Sequence, residues 1–172
     1  MSEQMKLGFV GVGVMGRPMA RRLIEHGHSL VIYDHNEEAL AELSAIGAQV
    51  AGSARQVADS AQVVFTSLPT PAIFKDVALG ADGLVFGKTI RILVDLSTVG
   101  SRTEQEVAAG LLEKGIETVD APISGGAAGA QKGTLAVMAA GKPEAIDQVR
   151  ELFDIFGKVF IVGEKAGQAQ LL

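Results

Sequence analysis

The sequence from Lys6 to Gly16 reads KLGFVGVGVMG, a short apolar run that ends in a G-x-G-x-x-G pattern. The run and the amphipathic residues after it predict a strand, a tight turn and the beginning of a helix. In such a turn the first glycine permits the bend, the second lets a phosphate approach the backbone, and the third lets helix and strand pack closely. Free backbone N–H groups and the helix dipole then favour a pyrophosphate. The residues predicted to bind it are Gly11, Val12, Gly13, Val14, Met15 and Gly16.

The residues that follow agree with a dinucleotide site. Gly27 suits a left-handed cap at the end of the first helix, and residues 30–33 predict a second strand that ends before Asp34. Asp34 lies 18 residues after Gly16, close to the roughly 20 expected of an acid that binds the adenosine ribose. A carboxylate there repels a 2′-phosphate, and the neighbours His35 and Asn36 supply no arginine to hold one. We therefore expect Asp34, His35 and Asn36 at the adenosine end, with NAD favoured over NADP.

Composition narrows the class of protein. The chain has 172 residues, 48% of them hydrophobic and 20% charged, which suits a single folded domain and disfavours disorder. Its net charge of −5 argues against nucleic acid as a partner. Cysteine is absent and the three histidines form no ligand set, so we expect no disulfide, no thiol nucleophile and no metal. Residues 1–4 lead directly into a strand without a signal peptide, and no apolar run suits a membrane, so a cytoplasmic protein is expected.

Strands alternate with helices along the rest of the chain. This alternation predicts an α/β fold with a doubly wound, mainly parallel sheet of the Rossmann type. The predicted strands are 6–10, 30–33, 48–51, 63–66, 91–95, 117–120, 134–140 and 158–162. The predicted helices begin at Gly16 and then span 37–46, 53–60, 71–79, 101–114 and 143–156, while 121–133 is left as a segment of small residues.

Ligands of such sheets lie across the carboxyl ends of the strands, which selects the loops after them. The residue types leave two roles open in each of these loops. Leu68 and Pro69 either line a cleft or simply end a strand. Ser97 and Thr98 are candidates to cap the next helix, a role that is compatible with a ligand contact. The segment 120–126, DAPISGG, either forms a turn or places the Ser124 hydroxyl beside free N–H groups that cradle a carboxylate.

Four ordered motifs resemble those of the β-hydroxyacid dehydrogenases, a family that includes 3-hydroxyisobutyrate dehydrogenase and tartronate semialdehyde reductase. The motifs are FVGVGVMG at 9–16, DLST at 95–98, DAPISGG at 120–126 and GAQKGTL at 129–135. The resemblance covers the whole chain and implies an oxidoreductase that uses NAD and a small carboxylate substrate. It implies that Leu68 and Pro69 line the cofactor cleft, and that Thr98 contacts the nicotinamide end. Ser124, with the N–H groups of Gly125 and Gly126, would hold the substrate carboxylate.

The resemblance also implies parts that are missing from these residues. Members of the family use a lysine that removes the hydroxyl proton, on a long helix that residues 163–172 resemble at its entrance. When residues 167–170 are aligned with the family's motif, this lysine falls just after Leu172. In a tighter alignment, Leu171 occupies the position of the lysine. We expect a dinucleotide-binding domain at 1–163, the start of an interdomain helix at 164–172, and no helical second domain. That domain builds the family's homo-oligomer, and its absence predicts exposed apolar surface near the last strand.

Two function classes remain open from the sequence. In the first, the chain is the nucleotide domain of an enzyme that transfers hydride between a nicotinamide and a small 3-hydroxyacid, and this polypeptide alone is inactive. In the second, it is a self-standing or degenerate nucleotide-binding module without turnover. The Ser124 loop favours the first class, because a module that binds only the cofactor has no use for a carboxylate cradle. The sequence leaves open which hydroxyacid is used and in which direction the reaction runs.

Overall fold

The structure is a computed structural model that describes residues 5–172. Its strands are β1 Leu7–Val10, β2 Leu30–Tyr33, β3 Gln49–Val50, β4 Val63–Thr66, β5 Ile92–Asp95, β6 Glu117–Asp120, β7 Ile123–Ser124, β8 Leu135–Ala140 and β9 Gly157–Gly163. Its α-helices are α1 Gly16–Glu25, α2 Glu37–Ser44, α3 Ala54–Ser60, α4 Pro71–Leu79, α5 Ser101–Leu112, α6 Gly126–Lys132 and α7 Pro143–Phe156. Two short 3-10 helices span Leu84–Phe86 and Ala169–Leu171. The predicted absence of a signal peptide concerns residues 1–4, which lie outside the described residues.

Six strands form a parallel sheet in the order β3-β2-β1-β4-β5-β6. Its register pairs Val10 with Thr66, Thr66 with Asp95, and Asp95 with Asp120. The last residues of four neighbouring strands therefore stand in one row at the carboxyl edge. The loops that follow these strands must all leave from this edge, as the doubly wound fold requires.

The remaining strands extend the sheet beyond β6. β8 pairs antiparallel with β6 and β7, and parallel with β9. The prediction of a mainly parallel α/β sheet is confirmed. No helix within residues 5–172 combines the length and the apolar character that crossing a bilayer would demand.

The local signals account for most of the element bounds. Five predicted elements, at 30–33, 63–66, 71–79, 117–120 and 143–156, have the bounds that the structure shows. The predicted cap at Ser53 is confirmed, since its hydroxyl accepts a hydrogen bond from the Gln56 N–H at 3.1 Å. The expected cap at Gly27 is also confirmed, because its N–H donates to the Ile24 carbonyl at the end of α1. Helices α2 and α5 end two residues before their predicted ends.

The interpretation of residues 121–133 as a segment without a helix or strand is wrong. The structure forms strand β7 and helix α6 there, and α6 ends at Gly133 in a left-handed conformation with φ +71°. The sequence of α6, GAAGAQK, has no apolar periodicity, so the usual helix signal is missing. Its two buried residues, Gly129 and Ala130, are small enough for the helix to lie close to its neighbours.

Helices cover both faces of the sheet and create two apolar cores. On one face α1 and α7 pack on the aromatic residues of β1 and β4. On the other face α3, α4 and α5 pack on Val64 of β4 and Leu93 of β5, which lie on the side of the sheet opposite Phe65. The Phe65 ring is central to the first core: it stacks on Phe9 at 5.8 Å between centroids and meets the edge of Phe156 at 5.4 Å.

Strand β9 is partnered by β8 alone among the described strands, and its side chains are largely exposed. Phe160 is 43% exposed, Ile161 44% and Val162 37%. Leu171 and Leu172 are exposed as well. The expected apolar surface near the last strand is therefore confirmed, while the expected interdomain helix at 164–172 stays a prediction.

The aromatic cluster provides a test of the fold. We expect Phe65→Ala to lower the free energy of unfolding by about 3–5 kcal/mol, because the ring is fully buried between Phe9 and Phe156. The measurement is urea unfolding followed by circular dichroism. Phe86→Ala is the matched control, since that ring is 51% exposed and its loss should cost no more than about 0.5 kcal/mol. Equal losses in the two variants would contradict the assigned core.

Candidate functional site

The glycine-rich turn between β1 and α1 is held by close backbone contacts. Gly11 adopts φ +95°, and a Cβ on it would collide with the carbonyl oxygen of Ser67. A Cβ on Gly16 would collide with the carbonyl oxygen of Gly11, which fixes how closely the helix approaches the turn. A Cβ on Gly13 would meet no heavy atom within 4 Å. Two glycines thus shape the turn, and the third faces open space where a phosphate could lie against the backbone.

The first turn of α1 is suited to an anion. Its N-cap residue, Met15, provides no side-chain hydrogen bond and the first turn contains no acidic residue. By contrast, Asn36, Ser53 and Thr70 cap α2, α3 and α4 with side-chain oxygens. The Arg17 N–H donates to the Gly13 carbonyl at 2.9 Å and Pro18 has no N–H, so the positive end of the α1 dipole and the N–H groups that precede Arg17 are what an external acceptor can use. This arrangement fits the diphosphate of a dinucleotide.

Asp34 braces the glycine turn from the next strand. Its Oδ2 accepts a hydrogen bond from the Val12 N–H at 2.7 Å, and its Oδ1 accepts one from the Asn36 N–H at 2.9 Å. The Asn36 side chain accepts from the Ala39 N–H at 3.1 Å and so caps α2. His35 is exposed, with its ring against Tyr33 at 5.6 Å between centroids. The carboxylate thus fixes the turn and also borders the space beside it.

The glycine turn, Asp34 and His35 line part of one cleft of about 440 Å³, a volume typical of small-molecule sites. Its walls come from the glycine turn, the end of β2, the loop after β4, and Ile73 and Val77 of α4. The cleft brings together most of the predicted cofactor residues: Gly11, Gly13, Val14, Met15, Gly16, Asp34, His35, Leu68 and Pro69. Val12, Asn36, Thr98 and Ser124 are outside its lining.

The loop after β5 is tied to the cleft through Ser97. The Ser97 hydroxyl accepts a hydrogen bond from the Leu68 N–H at 2.8 Å, and the Ser97 N–H donates to Asp95 Oδ1 at 3.1 Å. The alternative that Ser97 or Thr98 caps the next helix is wrong, because the N-cap of α5 is Gly100 and no side chain caps it. The Thr98 side chain is exposed beside this loop.

Gln170 joins this loop to the end of β6, and the sequence analysis did not single it out. Its Oε1 accepts from the N–H groups of Val99 and Gly100, both at 3.0 Å. Its Nε2 donates to the Ser97 carbonyl at 3.0 Å and to Asp120 Oδ1 at 2.7 Å. A glutamine in a glycine-rich segment has no local signal for such a role, since its partners lie about 50 to 73 residues earlier in the chain.

Three acidic side chains are buried behind these loops. Burial raises the pKa of Asp95 to about 6, although hydrogen bonds with Glu104, Ser97 and Thr66 act against this rise. Burial, then the charges of Asp95 and Asp120, raises the pKa of Glu104 to about 12. Burial also raises the pKa of Asp120, against its hydrogen bonds with Gln170 and Gly167. Glu104 was not foreseen from the sequence, because a glutamate on an amphipathic helix is normally exposed.

The predicted carboxylate cradle lies on the exposed side of the same edge. Ser124 ends β7 opposite Ala136, Gly125 adopts φ +133°, and Gly126 begins α6. All three residues are exposed, so a small ligand has access to them. Their role in substrate binding stays a prediction. Within residues 5–172, no three His, Asp or Glu side chains are grouped so that they could hold a metal ion.

A doubly wound sheet with a glycine turn, an uncapped helix start and an acid after the second strand defines a dinucleotide-binding domain. The comparison with known families makes this specific. The chain belongs to the family described as the NAD binding domain of 6-phosphogluconate dehydrogenase, whose model matches residues 6–163.

Individual relatives agree with this assignment. The chain is 38% identical to 3-hydroxyisobutyrate dehydrogenase of Pseudomonas aeruginosa, over 94% of this chain and 55% of that protein. It superposes with a TM-score of 0.90 on the structure of Mycobacterium tuberculosis 3-hydroxyisobutyrate dehydrogenase with L-serine, at 31% identity over 98% of this chain and 57% of that one. A structure of Psf3 in complex with NADP+ and 2-OPP gives a TM-score of 0.89 at 29% identity, over 96% of this chain and 59% of that one.

These matches confirm the resemblance noted in the sequence. They also define its extent, since the chain spans about half the length of the curated relatives it matches.

Gly13 and Gly16 have different surroundings, so substitutions at the two positions distinguish an effect on NAD binding from an effect on stability. We expect Gly13→Ala to leave the melting temperature unchanged, since its methyl group meets only open space, but to weaken NAD binding about tenfold or more by displacing the phosphate. Gly16→Ala should weaken binding and also destabilise the fold by about 1–3 kcal/mol, because its methyl group meets the Gly11 carbonyl. Calorimetric titration and thermal melting measure the two effects. Unchanged NAD affinity in Gly13→Ala would contradict the phosphate position.

Proposed function

We propose that this chain is the cofactor-binding part of an NAD-dependent oxidoreductase that transfers hydride between the nicotinamide and a small 3-hydroxyacid. The observation that carries the proposal is the single cleft formed by the glycine turn, Asp34 and the Leu68 loop, with Ser124 on the same edge of the sheet. The relatives named as 3-hydroxyisobutyrate dehydrogenase support this reaction class. The cofactor, when bound, supplies the hydride acceptor or donor.

At the cofactor, the N–H groups of the turn and of α1 hold the pyrophosphate, and Asp34 accepts hydrogen bonds from the adenosine ribose. The same carboxylate would repel a 2′-phosphate. Arg17 and Arg21, which are the cations nearest along α1, both pair with Glu42 instead. We therefore propose NAD as the cofactor, and the relative that is complexed with NADP+ makes NADP the competing outcome.

At the substrate, the Ser124 hydroxyl and the N–H groups of Gly125 and Gly126 hold the carboxylate, while Thr98 contacts the nicotinamide end. Oxidation of the hydroxyl group also requires a base that accepts its proton. Lys132 and Lys165 are exposed to solvent and are not enclosed beside a substrate site. We therefore assign the role of proton acceptor to neither lysine.

A second candidate is a nucleotide-binding module without turnover. The exposure of Lys132 and Lys165 favours it for these residues taken alone, because neither lysine is in an environment suited to a catalytic base. The two candidates share the cofactor site and differ at the Ser124 loop. Binding of a hydroxyacid to the NAD-loaded chain would support the dehydrogenase, and binding of NAD alone would support the module.

Asp34 tests the choice of cofactor. We expect the chain to bind NAD more tightly than NADP. Asp34→Asn should weaken NAD binding about tenfold or more and reduce the preference for NAD over NADP. Asparagine keeps the size of the side chain and an oxygen that can accept from the Val12 N–H, so the turn is preserved. Calorimetric titration with both nucleotides measures the effect, with Glu38→Gln on the exposed side of α2 as a control. Tighter binding of NADP by the unmodified chain would contradict the assignment.

Ser124 tests the substrate site. We expect the NAD-saturated chain to bind 3-hydroxyisobutyrate, and Ser124→Ala to weaken that binding about fivefold because one hydrogen bond is lost. NMR titration of the chain with the hydroxyacid measures the dissociation constant. Ser44→Ala, an exposed serine at the end of α2, is the matched control. Equal affinities in the two variants would remove Ser124 from the site and favour the module without turnover.

A further inference from the structure

Three carboxyl side chains converge behind the cofactor loops, and no Lys or Arg side chain within residues 5–172 forms an ion pair with them. Asp95 ends β5, Asp120 ends β6, and Glu104 reaches them from α5; each residue is 0% exposed. The charged groups that raise the pKa of Glu104 are the two aspartates. The basic residues closest in sequence to the three acids, Arg91, Arg102 and Lys114, are exposed. Three buried negative charges without a partner would strongly destabilise a fold, so the group must hold a proton.

The hydrogen bonds show which oxygen atoms of Asp95 and Asp120 accept from the neighbouring loops. Asp95 Oδ1 accepts from the Thr66 hydroxyl at 2.8 Å and from the Ser97 N–H at 3.1 Å. Asp120 accepts from the Gly167 N–H at 3.0 Å, the Gln170 N–H at 3.2 Å and the Gln170 amide at 2.7 Å. Both aspartates therefore accept hydrogen bonds from the loops that they hold.

Glu104 differs from its two neighbours. Neither of its carboxyl oxygens receives a hydrogen bond from any residue in the range 5–172, and Asp95 Oδ2 also lacks a donor there. A proton on Glu104 supplies a donor to Asp95 Oδ2 and removes one of the three charges. A proton on Asp95 Oδ2, the other oxygen without a donor, would also leave Asp95 Oδ1 free for its loop. Glu104 lies beside both aspartates and its pKa is raised further than that of Asp95, so the proton is assigned to Glu104.

We propose that Glu104 is a positioning residue: it stays protonated at neutral pH, donates its proton to Asp95, and thereby fixes the Ser97–Gly100 loop in which Thr98 lies. The part of the inference that concerns Thr98 and the nicotinamide rests on the proposed function. Asp95 holds this loop through the Ser97 N–H. Asp120 holds it through Gln170, which bonds Ser97, Val99 and Gly100.

The proposal fixes how stability varies with pH. Burial and the neighbouring aspartates raise the pKa of Glu104 in the folded chain from 4.5 to about 12, and burial raises that of Asp95 from 3.8 to about 6. An acid whose pKa is higher in the folded chain than in the unfolded chain stabilises the fold in its protonated form. This stabilisation is fully present below the unfolded-state pKa and is lost as the pH rises through the folded-state pKa. From about pH 6 upward, folding therefore takes up about one proton, and stability decreases with pH.

The first experiment compares melting temperature with pH for the chain, for Glu104→Gln and for Glu106→Gln. Glutamine cannot ionise and its amide donates to both aspartates, so Glu104→Gln should lose most of the decrease between about pH 6 and about pH 9. Glu106 lies on the exposed side of α5 with Lys75 and Arg102, so Glu106→Gln should keep the decrease. An unchanged slope in Glu104→Gln would overturn the proposal.

Carbon-13 NMR of the glutamate carboxyl groups detects whether Glu104 is protonated in the unmodified chain. A carboxyl resonance that stays in the protonated position at about pH 8 and disappears from the spectrum of Glu104→Gln supports the proposal. Ionised resonances for every glutamate at that pH would overturn it, even if the Glu104 variants did not fold.

The second experiment separates positioning from general stability. ADP-ribose lacks the nicotinamide, so its binding does not depend on Thr98. In Glu104→Ala the loop loses its support, and NAD should bind about fivefold less tightly while ADP-ribose binding is kept; Glu104→Gln should restore NAD binding. Equal weakening of both ligands in Glu104→Ala would overturn the positioning role. If the unmodified chain binds neither ligand, the proposed function fails and the Thr98 part fails with it, whereas the slope with pH still decides the protonation of Glu104.

Discussion

The parallel register of β1, β4, β5 and β6 is the constraint on which the rest of this structure depends. It places Val10, Thr66, Asp95 and Asp120 in one row, so that the loops after these four strands all leave from one edge of the sheet. The helices that cover both faces leave that edge as the part of the fold where loops and ligand can meet. Every candidate binding residue follows a strand of this sheet.

Two electrostatic zones meet at that edge. On the cleft side, α1 presents the uncapped positive end of its dipole, and the nearby carboxylate of Asp34 is occupied in holding the Val12 N–H. Behind the loops, a buried group of acids supplies acceptors to backbone N–H groups that would otherwise be unpaired. The first zone is suited to a diphosphate, and the second holds the loops in place without presenting its charge to the ligand. Gln170 and Ser97 carry that support from the buried acids to the surface.

Much of the fold could be predicted because its signals are local. Strands such as β4 are fully buried apolar runs bounded by turn residues, and the glycine turn has a spacing set by backbone geometry. The antiparallel direction of β8 has no local signal, since it depends on which strand β8 pairs with. Helix α6 was missed because its small residues show no periodicity. The burial of Glu104 was missed because its environment is made by residues of two distant strands.

The central claim is that the edge formed by these strand ends binds a nicotinamide dinucleotide along its length. The most direct measurement is a titration of the nitrogen-15-labelled chain with NAD, in which each backbone amide reports its own change. The account predicts that the largest shifts fall on residues Gly11 to Gly16, with a second group at Ser97 to Gly100 that ADP-ribose does not reproduce. Shifts confined to the exposed strand β9, or no shift in the glycine turn at saturating NAD, would contradict the account.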